Sequence, residues 1–283
     1  MGFMDAALHE GYETSRRMQL RHDPTYYFAT RRLPAEIRPA THALYGYVRT
    51  ADQIVDGPRR PPTAADRRAA LDAWEAELEA GSDSRQPIVR ALADAAARHR
   101  LPLEELRTYM CSMRIDCAPV RIASWDELVA YMDGSAGSVG RIMAALLGVP
   151  VRHHSDLGQL GIAFQLANFI RDVPEDTSLD RIYLPEDDRA RFGVSERDLA
   201  APHASPEVRA LLAHEVERAR ALFAAARPAI ASAPASVRPG IRFAIALYAR
   251  MLDRVEAVGF DVLGRSAGVR FWHLPGAALE ALR

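Results

Sequence analysis

With 283 residues, 49% of them hydrophobic, the chain has the length for one large domain or two small ones and enough apolar mass for a sizeable core. Its net charge of −1 removes the electrostatic case for a nucleic-acid partner. All 36 basic residues are arginine, an outcome that GC-rich coding produces unaided, yet each is a planar fork suited to phosphate oxygens.

The opening MGFMDAALHEGYE has neither a basic leader nor an apolar run, so no signal peptide is expected. A helix is predicted over 2–20 and a second over 35–56. The polar residues of the second are unusual. Measured from Tyr45 at 100° per residue, Arg49 falls at about 40°, Asp52 at about −20° and Asp56 at about 20°. These four share one narrow stripe, and Ala43, Leu44, Tyr47, Val48, Ala51, Ile54 and Val55 take the other faces. A surface helix is polar over a wide arc, so this pattern suits a buried helix whose stripe faces a cavity. Two carboxylates there repel one another unless a cation is near, and Arg49 compensates only one. A solvated stripe with an Arg49–Asp52 pair is the competing reading.

Breakers at 57–62 and 81–84 bound a helix over 64–80, and helices over 86–99 and 103–115 follow. The segments RRPP and DRRAA form a basic patch, for which a solvated face is the default reading and peripheral contact with anionic lipid the alternative. Cys111 and Cys117 lack the partners of a zinc site and, six apart on a helix, point to different faces, so neither zinc nor a disulfide is expected. A reducing compartment fits that usage. The next helix, over 125–147, carries Gly134, Ser135, Ala136, Gly137, Ser138 and Gly140. Each glycine costs about 1 kcal/mol of helix stability, which makes sense where a long ligand or another backbone passes close. Its apolar run IMAALLGV falls well short of the roughly 20 residues of a spanning helix. His153 and His154 read as a solvated helix start with Ser155 or Asp156 as N-cap, rather than as metal ligands.

The helix over 154–172 repeats the earlier construction in FQLANFIRDVPED. From Gln165, Asn168 lies at about −60°, Asp172 at about −20°, Glu175 at about −80° and Asp176 at about 20°, with Arg171 beside the stripe. A local competitor makes Asp172 the N-cap of a new helix begun by Pro174, with Glu175 closing a capping box; it leaves Gln165 and Asn168 unexplained. Helices over 206–226 and 235–257 follow, with no long linker and no repeat, which predicts one all-α domain over 1–283. Two acidic stripes across a helical cavity suit magnesium, held by a few carboxylates plus substrate phosphates. Arginines clamp phosphate oxygens bidentately, and an apolar interior beyond them holds a hydrocarbon. The combination describes ionisation of an allylic diphosphate in a dry pocket that shields a carbocation.

From about residue 20 to about 263 the sequence resembles the squalene/phytoene synthase family. HDPTYYFATRRLPAEIRPATHALYGYVRTADQIVDG is similar to its first block and YMDGSAGSVGRIM to its central block. FQLANFIRDVPEDTSLDRIYLPEDD is similar to its second aspartate block and the tyrosine segment after it. SMRID and ALYARMLDRVEAVGFDVLGR look most similar to bacterial phytoene synthases. The resemblance implies a single-domain isoprenoid-synthase bundle around a central apolar cavity. It implies Mg2+-dependent head-to-head condensation of two prenyl diphosphates, by way of a cyclopropylcarbinyl diphosphate. With two geranylgeranyl diphosphates the product is phytoene and no reductant is used. A squalene-type relative takes farnesyl diphosphate, with NADPH as reductant, and presqualene diphosphate and dehydrosqualene belong to the same branch. A terpene synthase that ionises one diphosphate and a non-catalytic scaffold are the remaining alternatives.

Carried over by position, the resemblance gives Asp52, Asp56, Asp172 and Asp176 to Mg2+, with Mn2+ as a substitute. It gives Tyr45, Arg49, Gln165, Asn168 and Arg171 to diphosphate or bound water, and sets His22 and Thr25 where a diphosphate approaches. Tyr131 matches a tyrosine near the cation and leaving group, and Tyr183 a further active-site tyrosine; Tyr131, Asp52 and Asp172 are expected to carry catalysis. The sequence departs from the family pattern at Gln53, where many relatives carry aspartate, at Asp23 and Pro24, where serine and lysine are common, and at Pro174, where glycine is frequent. These departures bear on substrate more than on reaction type. A cytoplasmic location, with peripheral membrane contact as an option, is expected.

Overall fold

Local capping rules account for most helix starts in the computed structural model, which describes residues 6–264. The first residues of the helix predicted over 2–20 and the end of the domain predicted over 1–283 lie outside the described residues. Helix α1 (Ala6–His22) hands over at Asp23, whose carboxylate accepts from the Tyr26 amide at 2.8 Å and caps α2 (Pro24–Thr30). Pro24 occupies the first turn, where its missing N–H costs nothing. Helix α3 (Arg38–Asp56) stops at Gly57; α4 (Ala64–Ala80) is capped by Thr63; α5 (Pro87–His99) and α6 (Glu105–Ile115) follow. These four lie close to the predicted spans.

A minimal parallel ladder comes next in space: β1 (Val120–Arg121) pairs with β2 (Arg181–Ile182), Val120 opposite Arg181. Two-residue strands carry too little alternation for periodicity to find. The helix predicted over 125–147 is three pieces: α7 (Trp125–Met132), a π turn (Asp133–Gly137) and α8 (Ser138–Leu146). Packing explains the break. A Cβ on Gly134 would sit 2.2 Å from Ser112 Oγ on α6, and one on Gly140 would sit 2.4 Å from the Leu157 carbonyl oxygen on the next helix. The extra residue of a π turn rotates the face that follows it, so one segment packs tightly on two neighbours.

Helix α9 (His154–Ser178) is 25 residues long and runs through Pro174. Asp172 is therefore an interior residue and not the cap of a new helix, and the predicted end at 172 is corrected to 178. An interior proline costs about 3 kcal/mol in an isolated helix. Here α9 packs against α7, α8, β2 and the helices after it, and those contacts outweigh the local penalty. The start of α9 also differs from expectation. Neither Ser155 nor Asp156 caps it; a 3-10 turn (Val151–His153) leads in, and His153 Nδ1 meets Asp156 Oδ2 at 2.8 Å. Then come α10 (Glu186–Phe192), α11 (Glu196–Leu199) with a Ser195–Asp198 capping box, α12 (Pro206–Ala225), α13 (Arg227–Ser232) and α14 (Arg238–Ala257). Helices α2, α10, α11 and α13 have seven residues or fewer, too short for a 3.6-residue period to register.

The result is an all-α architecture with α3 and α9 at its centre. Helices α1 and α5 flank α3, and α8 and α12 flank α9. The inner faces bury Leu44, Tyr47 and Ala51 from α3 and Leu166, Ala167 and Ile170 from α9. Tyr47 stacks on Trp74 of α4 with ring centroids 5.3 Å apart. Cys111 is exposed, Cys117 is buried, and both are free. Among the described residues no helix is long and apolar enough to cross a membrane.

Candidate active site

Each acidic stripe forms the one wettable face of a helix that is otherwise packed. On α9, Leu166, Ala167, Phe169, Ile170 and Val173 are buried, while Gln165, Asn168, Arg171, Asp172 and Asp176 keep partial exposure. On α3, Ala51 and Val55 are buried, and Arg49 and Asp52 are partly exposed with Asp56 beyond them. The stripes face one another, and Arg181 of β2 stands between them. Its guanidinium pairs with Asp56 at 2.5 Å and also lowers the proton affinity of Asp176 on the opposite helix. A little further along, Asp23 feels both Arg171 of α9 and Arg49 of α3.

The site holds more negative charge than its cations balance. Asp23, Asp52, Asp56, Asp116, Asp172 and Asp176 share it with Arg49, Arg171 and Arg181. Burial, with Asp56 adding repulsion, pushes the Asp52 carboxyl up to about 6, although the Tyr109 hydroxyl donates to it at 2.7 Å. Arg49 stays 4.0 Å from Asp52, so the expected pair is loose. Burial and the neighbouring Asp172 push Asp176 up to about 8. Asp172 is clamped by the adjacent Arg171, whose Nε reaches Oδ1 at 2.6 Å.

Two cavities adjoin this acidic zone. The first, of about 270 Å³, is a polar mouth lined by His22, Asp23, Thr25 and Arg171. The second, of about 220 Å³, is an apolar chamber walled by Leu33, Val139, Met143, Leu147, Leu157 and Leu160, with Gln165 and Asn168 at its polar end. Tyr26, Ala29, Ala244 and Tyr248 line both, so one opens toward the other. Along α9 the chamber wall runs from Leu157 to Asn168, about 16 Å of helix at 1.5 Å per residue. Ser135 and Ala136 of the π turn lie on the chamber wall, and Gly134 and Gly140 carry the helix packing. Tyr45 stacks near Tyr26 at 6.4 Å, and Asn168 bonds the Tyr248 hydroxyl. His22 Nε2 meets the Gln53 amide at 3.3 Å, which ties the end of α1 to α3.

Tyr131 and Tyr183 sit apart from the chamber lining and converge on Asp116, the last residue of the SMRID segment, to which the sequence alone assigns no role. Both hydroxyls donate to its carboxylate, at 2.5 and 2.8 Å, and the Asp116 carbonyl accepts from Arg181 at 2.6 Å. The Tyr183 ring stacks on Phe169 with centroids 3.9 Å apart. Asp116 thus links both tyrosines, through Arg181, to Asp56. Burial pushes its carboxyl up to about 6. Two signals point there. An aspartate at the C-terminus of α6 opposes the helix dipole, and Tyr109 and Asp116, seven residues apart, share a face of that helix. Arg181 and Tyr183 are two apart on an extended segment and so lie on one side of it. Tyr26 and Tyr248 have no sequence signal, because nothing local tells which apolar face meets a cavity.

The donor set suits a hard divalent cation. The stripes do not form a ready-made cage: among the described residues the one His/Asp/Glu trio with ligand atoms all within 4.8 Å is Asp188, His214 and Glu215, elsewhere in the fold. A cation between the stripes needs further oxygens from a ligand, and Mg2+ is ordinarily held so, by one or two carboxylates plus phosphates. Carboxylates driven toward protonation at Asp52 and Asp176 express the same unmet demand for positive charge.

A family model described as squalene/phytoene synthase matches residues 20–273. The phytoene synthase of Arthrospira platensis is 32% identical over 292 aligned positions, covering 96% of this chain and 94% of its own. That of Thermus thermophilus is 34% identical over 285 positions, covering 98% and 96%. The crystal structure of a dehydrosqualene synthase in complex with a ligand superposes with a TM-score of 0.89 at 22% identity, covering 97% of this chain and 96% of that one.

Proposed function

The chain belongs to the squalene/phytoene synthase family, and from that premise we propose that it condenses two geranylgeranyl diphosphates head to head into phytoene. The observation that carries the reading is an apolar chamber opening to a polar mouth that holds Asp23 and Arg171, beside aspartates of α3 and α9 that Arg181 joins. Asp52, Asp56, Asp172 and Asp176 would hold Mg2+, and Mn2+ suits the same oxygens. When bound, the metal supplies Lewis-acid stabilisation of the departing diphosphate. Arg49 and Arg171 orient diphosphate oxygens, a task matched to their bidentate forks. His22 and Thr25 receive the diphosphate end at the mouth, and Gln165 and Asn168 bond the groups just inside it.

The chamber does the rest by exclusion. One substrate ionises with loss of its diphosphate, its carbon cation is attacked by the double bond of the other, and loss of a proton closes the ring of a cyclopropylcarbinyl diphosphate. A second ionisation, rearrangement and proton loss follow. Leucine, valine and methionine walls keep water from the cation, and the faces of Tyr26, Phe164 and Tyr248 offer it negative quadrupoles. Tyr131 and Tyr183, oriented by Asp116, present hydroxyls beside the Asp56–Arg181 pair. The reaction needs no reductant, and we place it in the cytoplasm.

The test is incubation with Mg2+ and either geranylgeranyl or farnesyl diphosphate, with and without NADPH, and product identification by mass spectrometry. Phytoene from geranylgeranyl diphosphate alone is the expected result. A farnesyl-derived product that depends on NADPH would move the chain to the squalene branch, and a product with the carbon count of one substrate would make it a terpene synthase.

A further inference from the structure

One cluster takes no part in the chemistry above. Asp188 lies on α10 and His214 and Glu215 on α12. Each offers one ligand atom, and these atoms all lie within 4.8 Å of one another. His214 Nε2 is 3.8 Å from Asp188 Oδ1. Glu215 is completely buried and Asp188 is 6% exposed. Among the described residues, Glu215 Oε2 and His214 Nε2 are both buried and neither has a hydrogen-bonding partner.

Buried polar atoms without partners are rare, and each asks for an explanation. Here two of them, a carboxylate oxygen and an imidazole nitrogen, accompany a second carboxylate. All three are lone-pair donors, so the species they suit is a cation. Arg218 does not fill that role. It bonds Asp188 Oδ2 at 2.5 Å, Asp188 Oδ1 at 3.2 Å and Glu215 Oε1 at 3.0 Å, and its guanidinium lies 4.4 Å over the Trp125 ring. It is thereby held by both carboxylates as a hydrogen-bond donor that orients them, and it leaves Glu215 Oε2 and His214 Nε2 unpartnered. Two carboxylates against one guanidinium leave one negative charge for the dication.

We propose that Asp188, His214 and Glu215 form a second divalent-cation site, separate from the aspartate rows, that prefers zinc to magnesium and ties α10 to α12. The imidazole sets the preference, since magnesium favours oxygen alone and nitrogen ligands suit zinc. Three protein ligands leave a fourth position for water, and the His214 side chain, 23% exposed, marks the way in. In a tetrahedral site with bonds of about 2.0–2.2 Å, ligand atoms stand about 3.4 Å apart, so the 3.8 Å pair closes by about 0.4 Å and no pair by more than about 1.4 Å.

The experiment is equilibrium dialysis of the chelator-stripped full chain against zinc, without diphosphate, with metal per chain counted by mass spectrometry. Wild type, His214→Gln, Glu215→Gln and Asp176→Asn are compared, and cobalt replaces zinc in a parallel series read by visible absorption. One zinc per chain is expected in wild type and in Asp176→Asn, with at least tenfold weaker retention in His214→Gln and Glu215→Gln. The cobalt bands of a nitrogen-ligated ion disappear with His214→Gln, while that variant keeps its circular dichroism and its magnesium-dependent turnover. Full zinc in His214→Gln, zinc that follows Asp176 instead of His214, or no zinc in wild type would each overturn the assignment and leave the two orphaned atoms to water. Because His214 lies outside the prenyl-transfer machinery, these results are independent of the product test.

Discussion

Replacing Asp116 with asparagine should stabilise the fold and impair the enzyme. The carboxylate is 6% exposed and accepts both tyrosine hydroxyls, yet burial lifts it from 3.8 to about 6. The native state therefore binds this proton more tightly than the unfolded chain does. Its contribution to stability is complete below about pH 4 and is lost as pH rises through about 6. A rise of that size corresponds to about 3 kcal/mol, each tenfold change in proton affinity being worth about 1.4 kcal/mol. Asparagine escapes that cost but keeps one acceptor oxygen, so one hydroxyl is left poorly bonded at a loss of about 1 kcal/mol. The net expectation at pH 8 is a gain of about 1–2 kcal/mol, or roughly 2–4 °C in Tm for a chain of this size. The assay is thermal denaturation in chelator across pH 4–8, beside turnover at pH 8. The gap between variant and wild type should open between pH 4 and 6 and stay level above. Turnover should fall, because Tyr131 and Tyr183 lose the group that orients them. A gap independent of pH, or a variant less stable than wild type at pH 8, would refute the reasoning.

Asp172→Asn should nearly abolish turnover with the helical circular dichroism unchanged, and wild-type-like rates would remove that residue from the metal-binding set. A non-ionising thio-analogue of geranylgeranyl diphosphate with Mg2+ should raise the Tm, by the equivalent of about 2.7 kcal/mol at one hundred times Kd; an unchanged melt would favour a non-catalytic role. Pro174→Ala, at an exposed position inside α9, should stabilise by about 1–2 kcal/mol in urea, the helix gain of about 3 kcal/mol being offset by a freer unfolded chain. Gly140→Ala drives a Cβ to within 2.4 Å of the Leu157 carbonyl oxygen and should destabilise by about 1–3 kcal/mol in urea denaturation, through separation of α8 from α9.

The acidic rows are legible in the sequence because they break a rule on a long element. Two carboxylates one turn apart on a helix with apolar flanks are costly unless something answers them, and a 3.6-residue period exposes such a stripe at once. The departures all concern tertiary decisions. Local rules end a helix at Pro174, and only the contacts made by α9 along its length carry it to Ser178. Local rules also join 125–147 into one helix, whereas Gly134 against Ser112 and Gly140 against Leu157 require a change of face that a π turn supplies. The meeting of Asp116, Arg181 and Tyr109 with the stripes is hidden for another reason. Each acts on the stripes from a different element, α6 or β2, and no spacing along the chain encodes that meeting. The physical consequence is shared by both halves of the site. Asp52, Asp116 and Asp176 are all held where their charge is disfavoured, so the fold gives up stability to keep a cation-hungry cleft beside an oily chamber. In the proposed reaction a diphosphate entering with its metal would relieve that repulsion, and loss of both would restore it and favour uptake of the next substrate.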